Sequence, residues 1–458
     1  MIAILLTNIV FAQTKNYQAT IDTFQKNYNE HRYDEIFSHF SFVMKKALPI
    51  EKTKEFLSSL KGQLGNIEST EFINYHQGTY ALYKTKFEKA TMALNISLDG
   101  QDQINGLFIK PYENPELVEN NAVNALSSYP KEIAALVFSA AKDLPNNAQL
   151  SIAIIENGKT KYYGITKIKD TIKPAENQKN LFEIGSITKV FTSSILASLV
   201  ENGKIKLTDP INTYYPFSFK DNIKITFESL ANHTSGLPRL PENLDLSNQT
   251  NPYKDYGKNE MEAYLKGLIK LEHAASTTYS YSNLGAGLLG YTLGLSQKTS
   301  FQNLLQQRIF DKYGMTSSYI SSKNLGNSLI KGLNKKGDKV SNWDFDVLFP
   351  AGGIISSTED LAKFVYAQFN PKNKELELTR KTTFTIKGDT KIGLGWHISA
   401  VTGADDLFWH NGGTGGYSSS VVMDVKAKTA VIILSNVFDI NNKIDALSYD
   451  LIMNTAKK

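Results

Sequence analysis

The chain has 458 residues, of which 41% are hydrophobic and 21% are charged, and it contains no cysteine. This composition excludes disordered, collagenous and disulfide-stapled proteins, which need low hydrophobicity, periodic glycine or dense cysteine. The lack of cysteine also excludes thiol nucleophiles, cysteine-ligated zinc and iron–sulfur clusters. The net charge of +5 is small and the lysines are scattered, so we expect no nucleic-acid partner.

The N-terminal residues form an apolar run that Thr7 and Asn8 interrupt. This run and the small residue Ala12 are typical of a secretory signal peptide. We therefore expect a signal over residues 1–12, a mature chain from Gln13 and a secreted or periplasmic protein. The run lacks the Lys or Arg that normally opens a signal, so a truncated signal and a buried strand or helix stay as alternatives. No other segment approaches about 18 consecutive apolar residues, so we expect no transmembrane segment in the mature chain.

Residues 13–110 have the pattern of a small α+β domain. Apolar residues recur at helical spacing over residues 19–40 and 53–64. Four alternating segments then predict antiparallel strands, at residues 68–75, 79–87, 91–98 and 104–109. With Met44 and the Gly65 turn, this part resembles a domain of unknown function that precedes bacterial secreted hydrolases and has a cystatin-like or nuclear-transport-factor-like cone.

The first unit offers no convincing catalytic group, because His31, His39 and His76 are too far apart for a helical metal pair. Residues 111–130 are rich in Pro, Asn and Ser, which is typical of a linker. We therefore expect the chemistry in the remaining unit, residues 131–458.

Ser186 lies where a predicted strand turns into a helix. The apolar segment 181–185 ends in glycine, and helical periodicity then continues to a stop signal at Gly203. Lys189 follows Ser186 by one turn, on the same face of the helix. A lysine in this position can activate a serine by its positive field or, if burial lowers its pKa, as a base.

The spacing Ser-x-x-Lys is weak evidence by itself, because Ser58, Ser139 and Ser328 share it. Only Ser186 combines a strand-to-helix junction with two polar motifs further along the chain. We therefore choose Ser186 as the candidate nucleophile.

The two polar motifs contain groups that transfer protons or hold a substrate. Tyr281 and Asn283 lie in a short polar loop before a glycine-rich apolar helix, and a phenol can shuttle a proton if cations lower its pKa. His410 belongs to a predicted strand whose glycines, Gly412 and Gly413, let a substrate backbone approach.

Together these motifs resemble the penicillin-recognising serine hydrolases: class C β-lactamases, D-Ala-D-Ala carboxypeptidases and related esterases. Three further segments are similar to landmarks of this family: residues 207–210, 230–237 and 350–362. The resemblance implies an α+β protein with a β-lactamase/transpeptidase-like fold, in which an antiparallel sheet is flanked by helices. A helical subdomain would contribute Tyr281.

Residue by residue, the resemblance implies that Ser186 is the acylated nucleophile, Lys189 its activator and Tyr281 the general base. It assigns substrate binding to four residues: Asn283, His410, Asn411 and Gly412. The backbone N–H groups of Ser186 and Gly413 would form the oxyanion hole. No metal and no cofactor are implied.

Two positions depart from the β-lactamase pattern. His410 stands where the family often has lysine, and a histidine is mostly neutral at pH 7. Asn411 stands where a hydroxyl usually helps to bind a carboxylate. Both changes argue against an efficient β-lactamase, and the substrate stays open between a D-amino-acid peptide, a small ester and a β-lactam. The alternative function is a catalytically silent penicillin-binding sensor or scaffold, and the oligomeric state stays open.

Other motifs have simpler interpretations. Gly285, Gly287 and Gly290 match a dinucleotide fingerprint, but we expect a helix packed through small residues, since no βαβ unit is predicted around them. The Gly-x-Ser-x-Gly elbow of α/β-hydrolases is absent. We expect His233 to support a loop by a hydrogen bond, and Trp409 to belong either to the core or to the wall of the site.

Overall fold

The structure is a computed structural model that describes residues 15–76, 80–99, 101–112, 121–248, 250–387, 390–400, 405–438 and 440–455. The predicted signal peptide lies outside these residues. Contacts divide the chain into two units, residues 1–119 and 120–458. None of the helices in the described ranges combines the length and the apolarity needed to cross a bilayer.

The first unit packs four helices against one antiparallel sheet. The helices are α1 (Lys15–Asn29), α2 (Tyr33–Ser38), α3 (Phe42–Ala47) and α4 (Ile50–Leu64). The sheet follows chain order: β1 (Ile67–His76), β2 (Tyr80–Phe87), β3 (Thr91–Leu98) and β4 (Ile104–Pro111). The four predicted antiparallel strands are therefore confirmed.

The helical spacing predicted over residues 19–40 is realised as two helices, α1 and α2. His31 separates them, because its φ of +58° is incompatible with a continuous right-handed helix. The apolar residues of the pattern still meet in one core, where Ile21, Phe24 and Tyr28 pack with buried residues of the sheet.

The second unit is built on a mixed sheet. Its strands are β5 (Val123–Asn124), β6 (Gln149–Glu156), β7 (Lys159–Tyr162), β8 (Ile165–Ile168), β9 (Thr171–Pro174), β12 (Phe384–Lys387), β13 (Thr390–Ile392), β14 (His397–Ser399), β15 (Leu407–Gly413), β16 (Ser418–Asp424) and β17 (Thr429–Ser435). A separate pair is formed by β10 (Phe182–Glu183) and β11 (Ile355–Ser356).

The helices of this unit come from several parts of the chain. They are α5 (Lys131–Ala141), α6 (Thr188–Glu201), α7 (Phe227–Ala231), α8 (Lys258–Ala263), α9 (Asn283–Gln297), α10 (Phe301–Leu305), α11 (Asp311–Tyr313), α12 (Thr358–Phe369), α13 (Lys374–Arg380) and α14 (Asn441–Thr455).

The strand order is β12-β13-β14-β15-β16-β17-β6-β8-β9-β5, with β7 also paired to β6. All these pairs are antiparallel except β5 with β9. Strand β5 falls inside residues 111–130, where the polar composition predicted a linker. Its pairing with β9 and the burial of Leu126 place this part of the chain in the second unit, which begins before residue 131.

Both faces of the large sheet are buried. Along β6, successive side chains alternate between the two hydrophobic cores on either side of the sheet. Ile152 and Ile154 pack in the core that α5 and α14 cover, whereas Ala153 and Ile155 pack in the core that contains α6. Successive side chains of a strand point to opposite faces, so an apolar strand of this kind needs helices on both sides.

The glycines of α9 serve helix packing, as predicted. A Cβ atom at Gly287 would lie 2.5 Å from Leu348 Cδ2, and one at Gly290 would lie 2.2 Å from Pro350 Cγ. Larger residues would push α9 away from the segment that precedes β11. This close packing fixes the start of α9, where Asn283 lies.

Candidate active site

Ser186 lies in a short 3₁₀ turn, Gly185–Ile187, that leads from β10 into α6. Strand β15 passes so close that a Cβ at Gly185 would lie 2.6 Å from the backbone N of Gly413. A Cβ at Gly412 would lie 2.8 Å from the backbone N of Ser186. Only glycines allow this approach, which brings together the two segments whose N–H groups are the predicted oxyanion donors.

Lys189 makes three contacts through its amine. The Nζ atom lies 3.1 Å from Ser186 Oγ, 2.8 Å from Asn283 Oδ1 and 2.7 Å from the carbonyl oxygen of Ala351. Burial, helped by the positive charge of Arg239, holds the pKa of Lys189 well below its usual 10.5. When this amine is neutral, it can donate its two protons to the two carbonyl oxygens and accept the Ser186 hydroxyl proton on its lone pair.

Two basic side chains, those of Lys189 and Arg239, lie close to the ring of Tyr281. Lys189 Nζ is 4.7 Å and Arg239 Cζ is 5.2 Å from the centroid of its ring. Burial raises the pKa of Tyr281 to about 12, although a hydrogen bond with Ser186 and the charge of Arg239 act in the opposite direction. The phenol therefore keeps its proton at neutral pH, and this protonation state favours Lys189 over Tyr281 as the group that accepts the serine proton.

His410 is buried beside Tyr281, with 6.5 Å between the two ring centroids. Burial and the neighbouring His397 and Lys189 hold the pKa of His410 well below 6.5, so its ring is neutral. Its Nδ1 lies 2.6 Å from the carbonyl oxygen of Asn411, and its buried Nε2 has no hydrogen-bond partner among the described residues. His410 does not line the cavity, unlike the other residues predicted to bind substrate.

A cavity of about 510 Å³ opens in front of Ser186. Six predicted site residues line it: Ser186, Tyr281, Asn283, Asn411, Gly412 and Gly413. Its wall also contains six side chains that sequence reasoning did not assign to the site: Arg239, Tyr253, Trp343, Phe345, His397 and Phe438. The lining residues include no Asp or Glu.

His397 and Trp409 form one wall of the cavity. Their rings stack at 4.5 Å with an interplanar angle of 19°, and His397 Nε2 lies 2.9 Å from the hydroxyl of Tyr279. Burial lowers the pKa of His397 to about 4, so this wall carries no charge at pH 7. Trp409, for which the sequence allowed either a core or a wall position, lines the cavity.

Two residues outside the cavity hold the site in place. His233 adopts a φ of +59°, and its Nδ1 accepts a hydrogen bond of 3.2 Å from the backbone N–H of Ser282, as the sequence predicted. Asp445 of α14 accepts a hydrogen bond of 2.5 Å from the amide of Asn411. Burial raises the pKa of Asp445 to about 6.

The residues that sequence reasoning missed had little local signal. Arg239 lies two residues after a family landmark, residues 230–237, and this position is the one clue that the sequence contained. Trp343 and Phe345 lie on one segment and His397 on another, and neither segment contains a motif. In the part of the chain that the structure describes, no group of three or more metal-binding side chains is present.

A serine hydroxyl in contact with a buried lysine amine and close to a phenol is the arrangement expected of a serine hydrolase. A family model described as "Beta-lactamase" matches residues 140–451. The chain therefore belongs to the beta-lactamase family. A second model, described as a protein of unknown function (DUF3887), matches residues 22–107.

Known proteins similar to this chain support the same assignment. A beta-lactamase of Pseudomonas fluorescens is 33% identical over 263 residues, which cover 55% of this chain and 69% of that protein. Protein flp of Staphylococcus aureus (strain MRSA252) is 26% identical over 305 residues, which cover 62% of this chain but 59% of flp. The chain thus spans less than two thirds of flp.

Solved structures with the same fold include a beta-lactamase/D-alanine carboxypeptidase from Pseudomonas syringae, with a TM-score of 0.60 and 23% identity. A D-alanine carboxypeptidase AmpC from Burkholderia cenocepacia has a TM-score of 0.58 and 22% identity. Each comparison covers 70% of this chain and 98% of the other. The predicted β-lactamase/transpeptidase-like fold is confirmed.

Proposed function

We propose that this serine hydrolase cleaves a small ester or amide through an acyl-enzyme on Ser186. The observation that carries the proposal is the contact of 3.1 Å between Ser186 Oγ and a buried lysine amine whose pKa is held well below 10.5. A neutral amine at this distance is within reach of the proton that the serine must lose.

In the proposed acylation, Ser186 Oγ forms a bond to the substrate carbonyl carbon while its proton moves to Lys189 Nζ. The N–H groups of Ser186 and Gly413 donate to the oxyanion, and each such donor contributes about 100-fold to 1,000-fold to the rate. The bond to the leaving group then breaks, and the Tyr281 phenol passes a proton to that group. The Lys189 ammonium then returns its proton to the Tyr281 phenolate, which restores both groups. In the second half, water attacks the acyl carbon while Lys189 takes a proton from the water. The bond between Ser186 Oγ and the acyl carbon breaks, and Ser186 Oγ receives that proton from Lys189.

The substrate proposed is an ester or a D-amino-acid peptide rather than a β-lactam. His410 is neutral and buried, so it lacks the charge of the lysine that the family often has there. Asn411 is engaged by Asp445, which occupies one donor of its amide. The relatives named beta-lactamase or D-alanine carboxypeptidase support acyl transfer at such a site, and the apolar N-terminal run supports a secreted or periplasmic protein.

A fluorophosphonate probe tests the nucleophile. We expect labelling of the wild type, loss of labelling in Ser186→Ala, and unchanged labelling in Ser328→Ala, a control with the same Ser-x-x-Lys spacing. Labelling that survives Ser186→Ala would refute the proposal.

Steady-state rates on a small ester, a D-Ala-D-Ala peptide and a cephalosporin then test the substrate. We expect turnover of the ester or the peptide to exceed that of the cephalosporin. Stable labelling without turnover of any of the three would favour a penicillin-binding sensor or scaffold instead.

A further inference from the structure

We propose that Arg239 binds a carboxylate of the substrate, so that the site selects esters or amides that carry a negative charge. The inference rests on the proposed function and deepens it. It assigns a specificity-determining residue to a position outside the three catalytic motifs.

The backbone of Arg239 is fixed next to the catalytic segment. Its carbonyl oxygen accepts hydrogen bonds from the N–H groups of Asn283, at 2.9 Å, and Leu284, at 3.2 Å. The hydroxyl of Ser282 donates to the carbonyl oxygen of the preceding Pro238 at 2.7 Å. The loop is therefore tied to the first turn of α9, and the guanidinium projects from a rigid base.

The guanidinium itself has no polar partner. Arg239 is exposed, lines the cavity and places its Cζ 5.2 Å from the ring centroid of Tyr281, but it makes no ion pair or side-chain hydrogen bond with any described residue. The other three arginines each have a polar partner: Arg32 with Glu30, Arg308 with Ser198 and Arg380 with Gln368. A guanidinium presents a planar array of donors that matches the two oxygens of a carboxylate.

The charges around the cavity favour an anion. Arg239 is the one lining side chain with a permanent charge, no Asp or Glu lines the cavity, and His397 is neutral at pH 7. Lys189 does not line the cavity, and burial holds its pKa well below its usual 10.5. The positive charge thus comes from the loop before α9, whereas His410 of β15 supplies none.

The surroundings of Arg239 also suit the rest of such a substrate. Tyr253, whose hydroxyl accepts a hydrogen bond of 3.3 Å from the amide of Asn283, stacks on Phe345 at 4.9 Å and meets Trp343 edge-on at 5.4 Å. All three rings line the cavity. When the carboxylate of a substrate binds Arg239, the apolar part of that substrate can therefore pack against these three aromatic rings.

A matched pair of esters tests the proposal on the full chain. Mono-(4-nitrophenyl) glutarate carries the carboxylate, and 4-nitrophenyl valerate is its neutral counterpart of similar size. We expect Arg239→Gln to lower the ratio of kcat/KM for glutarate over valerate by about 10-fold to 100-fold, mainly through KM of the glutarate ester. Arg239→Lys should restore part of the ratio, and Arg32→Gln, which removes an arginine from the first unit, should leave it unchanged.

The ratio separates substrate binding from an effect on catalysis. If Arg239 acted only by tuning Tyr281 or Lys189, both esters would slow equally and the ratio would stay constant, which would overturn the proposal. Whatever the reason, an unchanged ratio of kcat/KM for glutarate over valerate in Arg239→Gln would overturn the proposal that Arg239 binds the carboxylate.

A second readout does not depend on turnover. We expect glutarate to raise the Tm of the Ser186→Ala protein and to leave the Tm of Ser186→Ala with Arg239→Gln unchanged. If the wild type hydrolyses neither ester, the proposed function fails, yet this thermal shift still supports the anion site. Equal shifts in both variants, or none in either, refute it.

Discussion

At the scale of single residues, the site depends on two ionisable groups whose pKa values move in opposite directions. Burial disfavours the charged form of each, so it lowers the pKa of Lys189 and raises that of Tyr281. Burial thus favours a neutral amine and a neutral phenol, the forms that the proposed mechanism uses as proton acceptor and proton donor.

Replacing Lys189 with arginine should remove this proton acceptor. A guanidinium stays protonated at all working pH values, so Lys189→Arg should lower kcat/KM for an ester by at least about 100-fold. Lys142→Arg, which alters the lysine of the Ser139-x-x-Lys spacing, serves as the control and should behave like the wild type. Retention of more than a tenth of the activity in Lys189→Arg would argue against a neutral lysine base.

The pH dependence of kcat/KM should show one rising limb. The neutral form of Lys189 accumulates as the pH rises through its lowered pKa, whereas the Tyr281 phenol is lost only near its pKa of about 12. Activity should therefore reach its plateau well below pH 10.5, the usual pKa of a lysine, as measured with an ester corrected for spontaneous hydrolysis. In Tyr281→Phe the rising limb should persist at a reduced rate. A rise confined to the region near pH 12 would instead identify the tyrosinate as the base.

At the scale of secondary-structure elements, the site is formed where the turn before α6 meets β15. The backbones of Gly185 and Gly413 approach closely, and Gly185 also has a φ of +50°. On the same strand, Asn411 is tied to α14 through Asp445. The relative position of three elements therefore decides where the predicted oxyanion donors lie.

Gly185→Ala should disturb this junction. The added Cβ would lie 2.6 Å from Gly413 N and would sit at a positive φ, which costs about 1 to 3 kcal/mol of stability. We expect kcat to fall about 10-fold or more, since displaced oxyanion donors contribute at least that factor. Chemical denaturation and ester hydrolysis measure both effects. Gly267→Ala, where an added Cβ has nothing within 4 Å, is the control; equal behaviour of the two variants would contradict the prediction.

Asp445 should make stability depend on pH. Its pKa is raised from 3.8 to about 6 in the folded state, so its contribution is complete below pH 4 and is lost as the pH rises through 6. Asp445→Asn removes this ionisation. Relative to the wild type, the variant should gain about 2 kcal/mol of unfolding free energy between pH 4 and pH 7, measured by urea denaturation. A difference that does not change with pH would show that the Asp445 carboxyl has an ordinary pKa.

At the scale of the whole molecule, the chain consists of two units with separate hydrophobic cores. The core around Ile21 and Phe24 contains only residues of the first unit, whereas the two cores on either side of the large sheet contain only residues of the second. Every residue that lines the cavity lies between Ser186 and Phe438. The chemistry therefore belongs to the second unit.

Residues 121–458 alone should fold and hydrolyse esters. We expect kcat/KM within about threefold of the full chain, because the core and the cavity of this unit are complete without the first unit. Circular dichroism and ester kinetics on the shortened protein check this. An insoluble or inactive fragment would show that the first unit is required for folding or catalysis.

The sequence by itself determined the parts of this protein that local patterns encode. The glycine turn and helix at Ser186, the glycine-rich helix after Tyr281 and the strand that carries His410 were all predicted, because periodicity and turn residues act over a few neighbouring positions. The order of these motifs also sufficed to predict the family and its fold. The strand Val123–Asn124 was missed, since this short strand within a polar segment is held in the sheet by pairing with β9, almost 50 residues further along the chain.

Only the tertiary structure decided the electrostatics and the full wall of the site. Burial lowers the pKa of both Lys189 and His410, and no spacing of residues reveals that burial. Arg239, Trp343 and His397 come from distant segments and meet at one cavity because the chain folds around the sheet. Burial of an ionisable group and the distance between groups on different segments exist only in the folded protein. The charge that the site presents to a substrate therefore follows from the tertiary structure and not from the sequence pattern.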